Sequence, residues 1–342
     1  KYLMKKIYKI AICGTGHIAK TFHIPAWLQN KNCRVVALYD KNHKRSKEVA
    51  KKFRIKKIYK SFNSLLRDKN IDVINICTPP NSHLNNITKA IQFKKKILVE
   101  KPLVKNFDEF KKIKKILKKN RNIYLQCGLH QRYRPVSIKI KNEIEKKTIG
   151  KIYYINVIHR KFRGIPTHSS VFSNKKLSGG GPLIDLGTHY FDLVSWYLNF
   201  PKIKSINCYL KNNIFKKQKS KIFLPFKKFN NEELSLGNIK YYNNVFLNFE
   251  IGYALNVKDE CRKIEIFGSK GSLIWPDNKM FVLKHNKLNE RKLKIENTKA
   301  SFSQVNSFLK NIKYKKSNKN IDEYGYIVRL IDMLYKSAKF NV

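Results

Sequence analysis

A regular alternation of short apolar segments with lysine-rich helical segments runs through residues 8–127 and limits the folds open to this chain. The apolar segments are rich in valine and isoleucine and too short for helices, which indicates buried strands. They are Tyr8 to Cys13, Arg34 to Tyr39, Ile58-Tyr59, Asp72 to Cys77, Ile97 to Val99 and Asn122 to Cys127. Because parallel strands need a crossover helix between them, this order predicts a doubly wound α/β sheet.

The second half of the chain has a different pattern. β-Rich segments such as Lys151 to Ile158 and Val245 to Tyr253 dominate it. A chain of 342 residues is also too long for one ordinary core. We therefore predict a first domain over residues 1–128 and a second domain over residues 129–342.

Helices are predicted at three places in this second half. The apolar spacing indicates one helix from Leu183 to Leu198 and two closing helices near 303–315 and 323–338. The segment from Asn212 to Asn238 is polar and irregular, and it predicts a long loop or insertion.

The charge of the chain is strongly basic, with 73 lysine and arginine residues against 23 aspartate and glutamate residues and a formal net charge of +50. A basic face could bind nucleic acid by neutralising phosphates. Here, however, the lysines are spread through the whole chain and far outnumber the arginines. An arginine-rich patch interleaved with aromatic residues, as base readout or stacking needs, is missing from the sequence. We predict no specific nucleic-acid partner and a general attraction for anionic substrates.

The cysteines and the apolar runs argue against two further classes of protein. The six cysteines are far apart, with no Cys-x-x-Cys pair and no Cys/His ligand spacing. We therefore expect reduced thiols and no metal site. No apolar run approaches the roughly 20 residues of a membrane-spanning helix. The expectation is a cytoplasmic enzyme without a membrane partner.

A glycine turn follows the first strand and predicts a dinucleotide site. In Gly14-Thr15-Gly16-His17-Ile18-Ala19, the first glycine permits a tight turn and the second lets the backbone approach a pyrophosphate. The small Ala19 allows the following helix to pack closely on the strand. Asp40 ends the second strand about twenty residues later, where an acidic side chain accepts hydrogen bonds from the adenine ribose.

The charges near Asp40 decide which dinucleotide is favoured. The carboxylate would repel a 2′-phosphate, which favours NAD over NADP. Lys44 and Arg45 follow closely and would offset that repulsion, so NADP remains an alternative cofactor.

The fourth strand ends in Thr78-Pro79-Pro80-Asn81-Ser82-His83, beside the expected position of the nicotinamide. Its prolines cannot continue a strand ladder or a helix. The stretch could also be a simple strand-to-helix turn, capped by Asn81 or Ser82, and His83 could be only a residue of the helix start. The residues expected to contact the cofactor here are Thr78, Pro79, Asn81 and His83.

The fifth strand runs directly into Glu100-Lys101-Pro102. Ligands collect at the carboxyl ends of the strands in an open α/β sheet. We therefore predict that Glu100 and Lys101 lie at the cofactor and that Lys101 takes part in the chemistry.

A third motif brings a carboxylate and an imidazole together. After the triple glycine Gly179 to Gly181, Asp185 and His189 are four residues apart and share one face of the predicted helix. Such a pair lets the carboxylate orient the imidazole while the histidine moves a proton. The same pair could be purely structural. The triple glycine and the separate Lys101 favour catalysis, because glycines bring the backbone close to another group.

Together these motifs resemble those of the Gfo/Idh/MocA family of oxidoreductases, over nearly the whole chain. The matching segments are Gly14 to Ala19, His23, Pro25-Ala26, Asp72 to His83, Glu100 to Leu103, Gly179 to Asp185, His189, Gly268 to Gly271 and Tyr335 to Ala338. The resemblance implies an N-terminal Rossmann domain and a C-terminal α+β domain with a large open, mostly antiparallel sheet. It also implies that this sheet supports a homodimer or homotetramer and that the last helices pack back on the first domain.

The resemblance further implies roles for particular residues. Lys101 would contact the reacting hydroxyl, His189 would be the acid/base, and Asp185 would support His189. Arg132 and Arg134 lie where the family varies and, with the Asn212 to Asn238 segment, would shape the substrate pocket.

The expected activity is the reversible, NAD(P)-dependent oxidation of a secondary hydroxyl of a sugar, an inositol-like polyol or a nucleotide sugar. One alternative is an NAD-dependent glycoside hydrolase that oxidises the sugar ring only transiently. The other is a non-catalytic regulator that binds a dinucleotide, against which the presence of Lys101, Asp185 and His189 argues. The motifs do not give the sugar, the carbon or the direction.

Overall fold

The computed structural model describes residues 6–162, 164–165, 170–212, 214, 229–314, 316, 318 and 320–339. Within these ranges the chain forms two compact units. The first contains the described residues up to His130 together with Lys299–Val328. The second contains the described residues of Gln131–Thr298 together with those from Arg329 onwards.

The strands and α-helices have the following bounds. The strands are β1 (Tyr8–Cys13), β2 (Cys33–Tyr39), β3 (Lys57–Tyr59), β4 (Val73–Ile76), β5 (Lys96–Val99), β6 (Leu125–Cys127), β7 (Ile152–Arg160), β8 (Ile203–Lys211), β9 (Leu234–Tyr241), β10 (Phe246–Gly252), β11 (Cys261–Gly268), β12 (Gly271–Trp275), β13 (Lys279–Lys284) and β14 (Lys287–Lys292). The α-helices are α1 (Ile24–Leu28), α2 (His43–Phe53), α3 (Phe62–Arg67), α4 (His83–Gln92), α5 (Phe107–Lys119), α6 (Pro135–Glu145), α7 (Lys175–Ser178), α8 (Pro182–Asp185), α9 (Gly187–Tyr197), α10 (Ala300–Lys313) and α11 (Ile321–Lys339).

The first unit is built on a six-stranded sheet in the order β3-β2-β1-β4-β5-β6. Every neighbouring pair in it is parallel. The chain steps outward from β1 to β3 and then returns to place β4 beside β1. A crevice therefore opens between the carboxyl ends of β1 and β4, where ligands bind in sheets of this kind. The predicted doubly wound sheet is confirmed.

Apolar side chains cover both faces of this sheet, which explains why its strands are continuous apolar runs. Ala11 of β1 belongs to the layer that contains residues of α4 and α5. Ile10 belongs to the opposite layer, with residues of α1 and α10. There the rings of Trp27 and Phe308 meet edge to face, with centroids 5.8 Å apart.

The second unit is built on an eight-stranded sheet in the order β14-β13-β12-β11-β7-β10-β9-β8. β7 and β10 are parallel, and the other neighbours are antiparallel. Helix α9 packs on one face, where Phe191 meets Phe249 edge to face at 5.2 Å. Along β11, Ile264 and Ile266 are buried, whereas Phe267 on the other face is half-buried. The predicted open, mostly antiparallel sheet is confirmed.

Two predictions for the second unit are wrong in detail. Strand β9 begins at Leu234, so the end of the segment predicted as a loop from Asn212 to Asn238 is a strand. Antiparallel pairing on both sides, with β8 and β10, draws this polar stretch into the sheet. Residues 213 and 215–228 of the predicted loop lie outside the described residues. The single helix predicted from Leu183 to Leu198 is two helices, α8 and α9.

Candidate active site

The turn after β1 is shaped by Gly14. Its φ of +93° lies in the left-handed region, and its N–H donates to the Tyr39 carbonyl over 2.8 Å. A Cβ at this position would lie 2.8 Å from the carbonyl carbon and oxygen of Cys77 and 2.9 Å from the backbone nitrogen of Thr78. Only glycine allows the turn to approach the end of β4 so closely.

Gly16 leaves open space instead. A Cβ added there would meet no atom within 4 Å. Thr15 before it is buried, while Ile18 is half-buried and His17 is exposed. A bare backbone at the carboxyl end of the central strand is what a pyrophosphate needs for close approach. The residues of this turn therefore fit a bound dinucleotide.

Asp40 follows β2 directly, and both of its carboxylate oxygens accept hydrogen bonds. Its carboxylate accepts the N–H and the hydroxyl of Thr15 at 2.7 and 2.8 Å and the N–H of Asn42 at 2.8 Å. Arg45 adds donors from Nε at 3.1 Å and from Nη2 at 2.8 Å. Burial alone would raise the pKa of Asp40, but the bonds from Arg45, Thr15 and Asn42 outweigh it and hold the pKa below its usual value. Asp40 is thus a carboxylate that binds the glycine turn and Arg45 together.

The loop after β4 is tied to the loop after β5 through His83. The ring is fully buried, with Nε2 2.8 Å from the Thr78 carbonyl oxygen and Nδ1 2.8 Å from that of Pro102. Burial lowers the pKa of His83. Because both ring nitrogens are occupied by backbone, His83 would assist cofactor binding indirectly, by fixing the two loops.

The other residues of the β4 loop remain candidates for direct contact. Pro79 and Asn81 are exposed, and Thr78 is half-buried. Ser82 directs its hydroxyl to the Thr78 hydroxyl, over 2.8 Å, and it does not cap α4 with its side chain.

Glu100 forms a buried polar cluster beneath Lys101. One carboxylate oxygen lies 2.6 Å from Nε2 of His23, and the other accepts the Lys101 N–H at 3.1 Å. Gly128 makes room for it, because a Cβ there would lie 2.9 Å from Glu100 Oε1. Burial alone would raise the pKa of Glu100, but the hydrogen bond from His23 and the attraction of His23, His130 and Lys101 keep it below its usual value. Lys101, half-buried at the carboxyl end of β5, stands next to this carboxylate.

The second unit carries His189 in the first turn of α9. The predicted four-residue spacing within one regular helix does not hold, because α8 ends at Asp185. The Thr188 hydroxyl bonds back to the Ile184 carbonyl oxygen, and the His189 N–H bonds to Leu186 rather than to Asp185. Back-bonding of this kind bends helices.

Asp185 has a partner that its sequence position did not suggest. The hydroxyl of Tyr253, at the end of the neighbouring β10, donates to Asp185 Oδ2 over 2.7 Å. Burial and the nearby Asp185 charge raise the pKa of Tyr253 well above its usual value, so this hydroxyl stays protonated. The Asp185 carboxylate is therefore held on the sheet by a permanent donor.

The triple glycine packs against a second buried carboxylate. A Cβ on Gly180 would lie 1.9 Å from the Tyr335 hydroxyl oxygen, and one on Gly181 would lie 2.1 Å from the Glu232 carbonyl oxygen. Glu232 Oε1 accepts the Gly181 N–H at 2.9 Å and the Tyr335 hydroxyl at 2.7 Å. The group that the glycines were predicted to approach is thus this Glu232–Tyr335 pair, which supports the start of α8.

A cleft of about 550 Å³ opens beside His189 within the second unit. Its volume lies in the range of pockets that hold small ligands. It is lined from β7 by His159 and Arg160, from α9 by His189 and Tyr190, and from the β11–β12 hairpin by Arg262 and Trp275.

Two histidines line the cleft, and they differ in burial. His159 is buried, and its Nδ1 lies 2.6 Å from the Tyr190 hydroxyl oxygen. Burial, together with the positive charges of Lys161 and Arg262, lowers the pKa of His159 to about 4. His159 is therefore neutral at pH 7, whereas His189 is half-buried and lines the cleft. His189 is the better placed of the two to exchange a proton with a ligand.

Two kinds of site are absent from the part of the chain that the structure describes. No group of three or more His, Cys, Asp and Glu side chains could hold a metal ion there. No helix within the described ranges is long and apolar enough to span a membrane.

Comparison with known proteins first gives the class. The model of the oxidoreductase family with an NAD-binding Rossmann fold matches residues 8–128, so the chain contains the cofactor domain of an NAD-binding oxidoreductase. The model of the GFO/IDH/MocA C-terminal domain matches residues 138–274. The chain belongs to the Gfo/Idh/MocA family, as its motifs suggested.

Individual relatives act on sugars and polyols. D-glucoside 3-dehydrogenase of Escherichia coli K12 is 24% identical over 341 residues, which cover 97% of this chain and 95% of the relative. Myo-inositol 2-dehydrogenase of Thermotoga maritima is 26% identical over 278 residues, covering 79% and 75%. The structure of levoglucosan dehydrogenase with NADH and levoglucosan has a TM-score of 0.86 at 18% identity and covers 98% of both chains, which shows the shared fold.

The bonding of Asp40 leads to a prediction about the cofactor. We expect NAD to bind more tightly than NADP, because a 2′-phosphate would approach a buried carboxylate. Asp40→Ala should narrow the difference by about tenfold, the scale of one charge-assisted hydrogen bond. Dissociation constants for both dinucleotides, from quenching of tryptophan fluorescence, would measure it, with the exposed Asp108→Ala as control. Tighter binding of NADP to the unmodified protein would mean that Lys44 and Arg45 outweigh Asp40.

Proposed function

We propose that this protein is an NAD-dependent dehydrogenase that oxidises a secondary hydroxyl of a sugar, a polyol or a nucleotide sugar. The observation that carries the proposal is a half-buried histidine, His189, lining a cleft of ligand size in a chain whose other unit has an NAD-binding Rossmann fold. Lys101, at the carboxyl end of β5, supplies the second group that the chemistry requires.

The reaction divides into a hydride and a proton. The O–H and C–H bonds of the carbinol break and a C=O bond forms. When bound, NAD⁺ accepts the hydride and becomes NADH. The proton goes to His189, so the products are a ketone, NADH and one proton, and charge and atoms balance.

Lys101 and His189 have complementary tasks in this scheme. Lys101 stabilises the negative charge that develops on the substrate oxygen, as a preorganised cation does. His189 removes the hydroxyl proton, and the Asp185 carboxylate, held by Tyr253, supports His189 in this role. In the reverse direction the same histidine returns the proton.

An NAD-dependent glycoside hydrolase would use the same groups and is the second candidate. It would oxidise the ring, release the aglycone and return the hydride to the sugar, so no NADH would accumulate. The names of the relatives, which are dehydrogenases for a glucoside and for inositol, favour net oxidation.

A panel of sugars, polyols, glycosides and nucleotide sugars tests the proposal through NADH absorbance. We expect at least one neutral or charged carbohydrate to reduce NAD, and Lys101→Ala to slow NADH formation by on the order of 10²-fold or more. Cleavage of a glycoside without net formation of NADH would contradict the dehydrogenase and favour the glycoside hydrolase. No turnover of any kind, despite tight NAD binding, would instead support the regulator.

We also propose that the open sheet face joins copies of this chain. Tyr154, Phe246 and Phe267 form an aromatic cluster on that face, with ring centroids 6.3 and 5.5 Å from that of Tyr154. Arg160 and Glu250 lie nearby as an ion pair of 2.6 Å. A twofold interface would place this face against the same face of a second copy.

Sedimentation velocity would test the assembly. We expect the unmodified protein to sediment as a dimer or tetramer and Phe267→Lys to sediment as a smaller species. A monomer at micromolar concentration would contradict the proposed interface.

A further inference from the structure

Two arginines of the second unit lie over the same indole ring. The guanidinium carbon of Arg262 is 5.4 Å from the ring centre of Trp275, and that of Arg134 is 5.6 Å from it. Trp275 is buried, and its indole N–H donates to the Ser137 hydroxyl at 3.0 Å. The indole is therefore held in place, with two positive charges beside it.

Neither arginine forms an ion pair with a carboxylate in the described ranges. The other arginines around this cleft do: Arg132 donates to Asp192 over 2.9 Å, and Arg160 donates to Glu250 over 2.7 and 2.6 Å. Burial and the charge of Arg262 lower the pKa of Arg134, so the two guanidinium groups repel each other. An anion bound between or beside such groups relieves that repulsion.

The remaining charges of the cleft do not neutralise this pair. Lys161 adds a cation to the lining, and Glu260 is the carboxylate that lines it. Glu260 is engaged with backbone, since Oε1 accepts the Phe162 N–H at 3.2 Å. His159 is neutral at pH 7. The lining thus carries Arg262 and Lys161, besides the paired Arg160, against one carboxylate. Arg134 lies over the same Trp275 ring.

A structural function alone does not explain this arrangement. One guanidinium over an indole gains a cation–π interaction. A second cation over the same ring adds like-charge repulsion. Over Trp196, where Arg132 and Lys141 both lie, each cation has a carboxylate partner, Asp192 and Glu145. The two arginines over Trp275 have none among the residues that the structure describes. A ligand that brings negative charge into the cleft explains both arginines.

We infer that the substrate of this cleft is a sugar or polyol that carries a carboxylate or a phosphate, and that Arg262 binds this anionic group. Arg134, over the same Trp275 ring, adds positive potential. The inference rests on the proposed function, because it places the oxidised hydroxyl near His189 and the anion near Arg262 in one cleft.

Sugars that share one parent sugar and differ in charge would test the anion site. Calorimetric titration in the presence of NAD would compare glucose, glucuronate and glucose 6-phosphate, and then galactose, galacturonate and galactose 6-phosphate. We expect a charged member of at least one set to bind about 10- to 100-fold more tightly than its neutral parent, the scale of charge-assisted hydrogen bonds. The tighter charged member tells whether the group is a carboxylate or a phosphate.

Variants then assign the preference to the arginine. Arg262→Gln should abolish the preference, and Arg262→Lys should retain part of it. Arg291→Gln, on the exposed strand β14, is the matched control and should leave it unchanged. If Arg262→Gln does not fold, the salt dependence of the unmodified protein decides, because the preference must shrink as salt screens the charge.

The outcomes distinguish this inference from the proposed function. Equal binding of neutral and charged members in both sets, or a preference that survives Arg262→Gln and high salt, overturns the anion site. If the protein oxidises a neutral sugar and shows no preference for charged sugars, the proposed dehydrogenase activity is supported and only the anion site is contradicted. If the protein binds charged sugars selectively but forms no NADH, the anion site is supported and the proposed dehydrogenase activity is contradicted.

Discussion

Turnover should fall by on the order of 10²- to 10⁴-fold in Lys101→Ala and in His189→Ala, the range for loss of a group that transfers a proton or stabilises charge. NAD affinity should stay nearly unchanged, because the residues that we propose to hold the dinucleotide are others, namely Gly14, Gly16 and Asp40. Steady-state rates with an identified substrate, together with NAD titrations, would measure both quantities.

Controls separate chemistry from folding in this experiment. Lys111→Ala, on the exposed face of α5, and His285→Asn, in the exposed turn before β14, should behave like the unmodified protein. Asp185→Asn should lose less than His189→Ala, since it removes only the supporting charge. Near-normal turnover in Lys101→Ala would refute the assignment of roles.

The next largest effect concerns stability. Glu100→Ala should lower the free energy of unfolding by about 3–5 kcal/mol, because it removes one member of a buried, hydrogen-bonded pair and leaves His23 without its carboxylate. Glu100→Gln keeps the shape and removes only the charge. Urea unfolding at neutral pH would measure both, with the exposed Glu48→Gln as control.

The same carboxylate predicts a dependence on pH. The pKa of Glu100 is below its usual value in the folded protein, so the unfolded chain takes up its proton first on acidification. The stabilisation is complete above the unfolded pKa and is lost as pH falls through the folded pKa. Glu100→Gln should therefore lose less stability than the unmodified protein over this acidic range. An identical pH profile for both proteins would contradict a charged Glu100.

The first unit follows closely from local sequence patterns. The residues that follow these strands, such as Gly14, Asp40, Thr78 and Glu100, lie at the carboxyl edge of the sheet because the strands are parallel. That single constraint brings residues far apart in the chain to one edge of the sheet. These strands could be predicted from the sequence because their apolar runs are long enough to be recognised.

Features that depend on tertiary contacts did not follow from the sequence. Arg45 was expected to offset the Asp40 charge toward a phosphate, and the structure has it bonded to Asp40 itself. The break before His189 comes from a side-chain bond of Thr188, and β14 is a lysine-rich strand exposed at every position. Neither leaves a periodic apolar signal.

Hydrogen-bond partners that are far apart in the chain could not be predicted from the sequence either. Glu232 and Tyr335 are 103 residues apart, and Tyr253 and Asp185 are 68 apart, yet each pair is hydrogen-bonded. Only the packing of helices and strands in the second unit brings them together. The sequence signal available was the triple glycine, which indicated a close approach without identifying the group approached.

Transfer of deuterium from substrate to cofactor tests net oxidation by this protein most directly. A substrate deuterated at the oxidised carbon would be incubated with NAD, and both products would be followed by NMR. We expect one deuteron at the nicotinamide ring for each ketone formed, and transfer that is slower by on the order of 10²-fold or more in Lys101→Ala. Deuterium that stays on a hydrolysed sugar while NADH fails to accumulate would contradict the dehydrogenase.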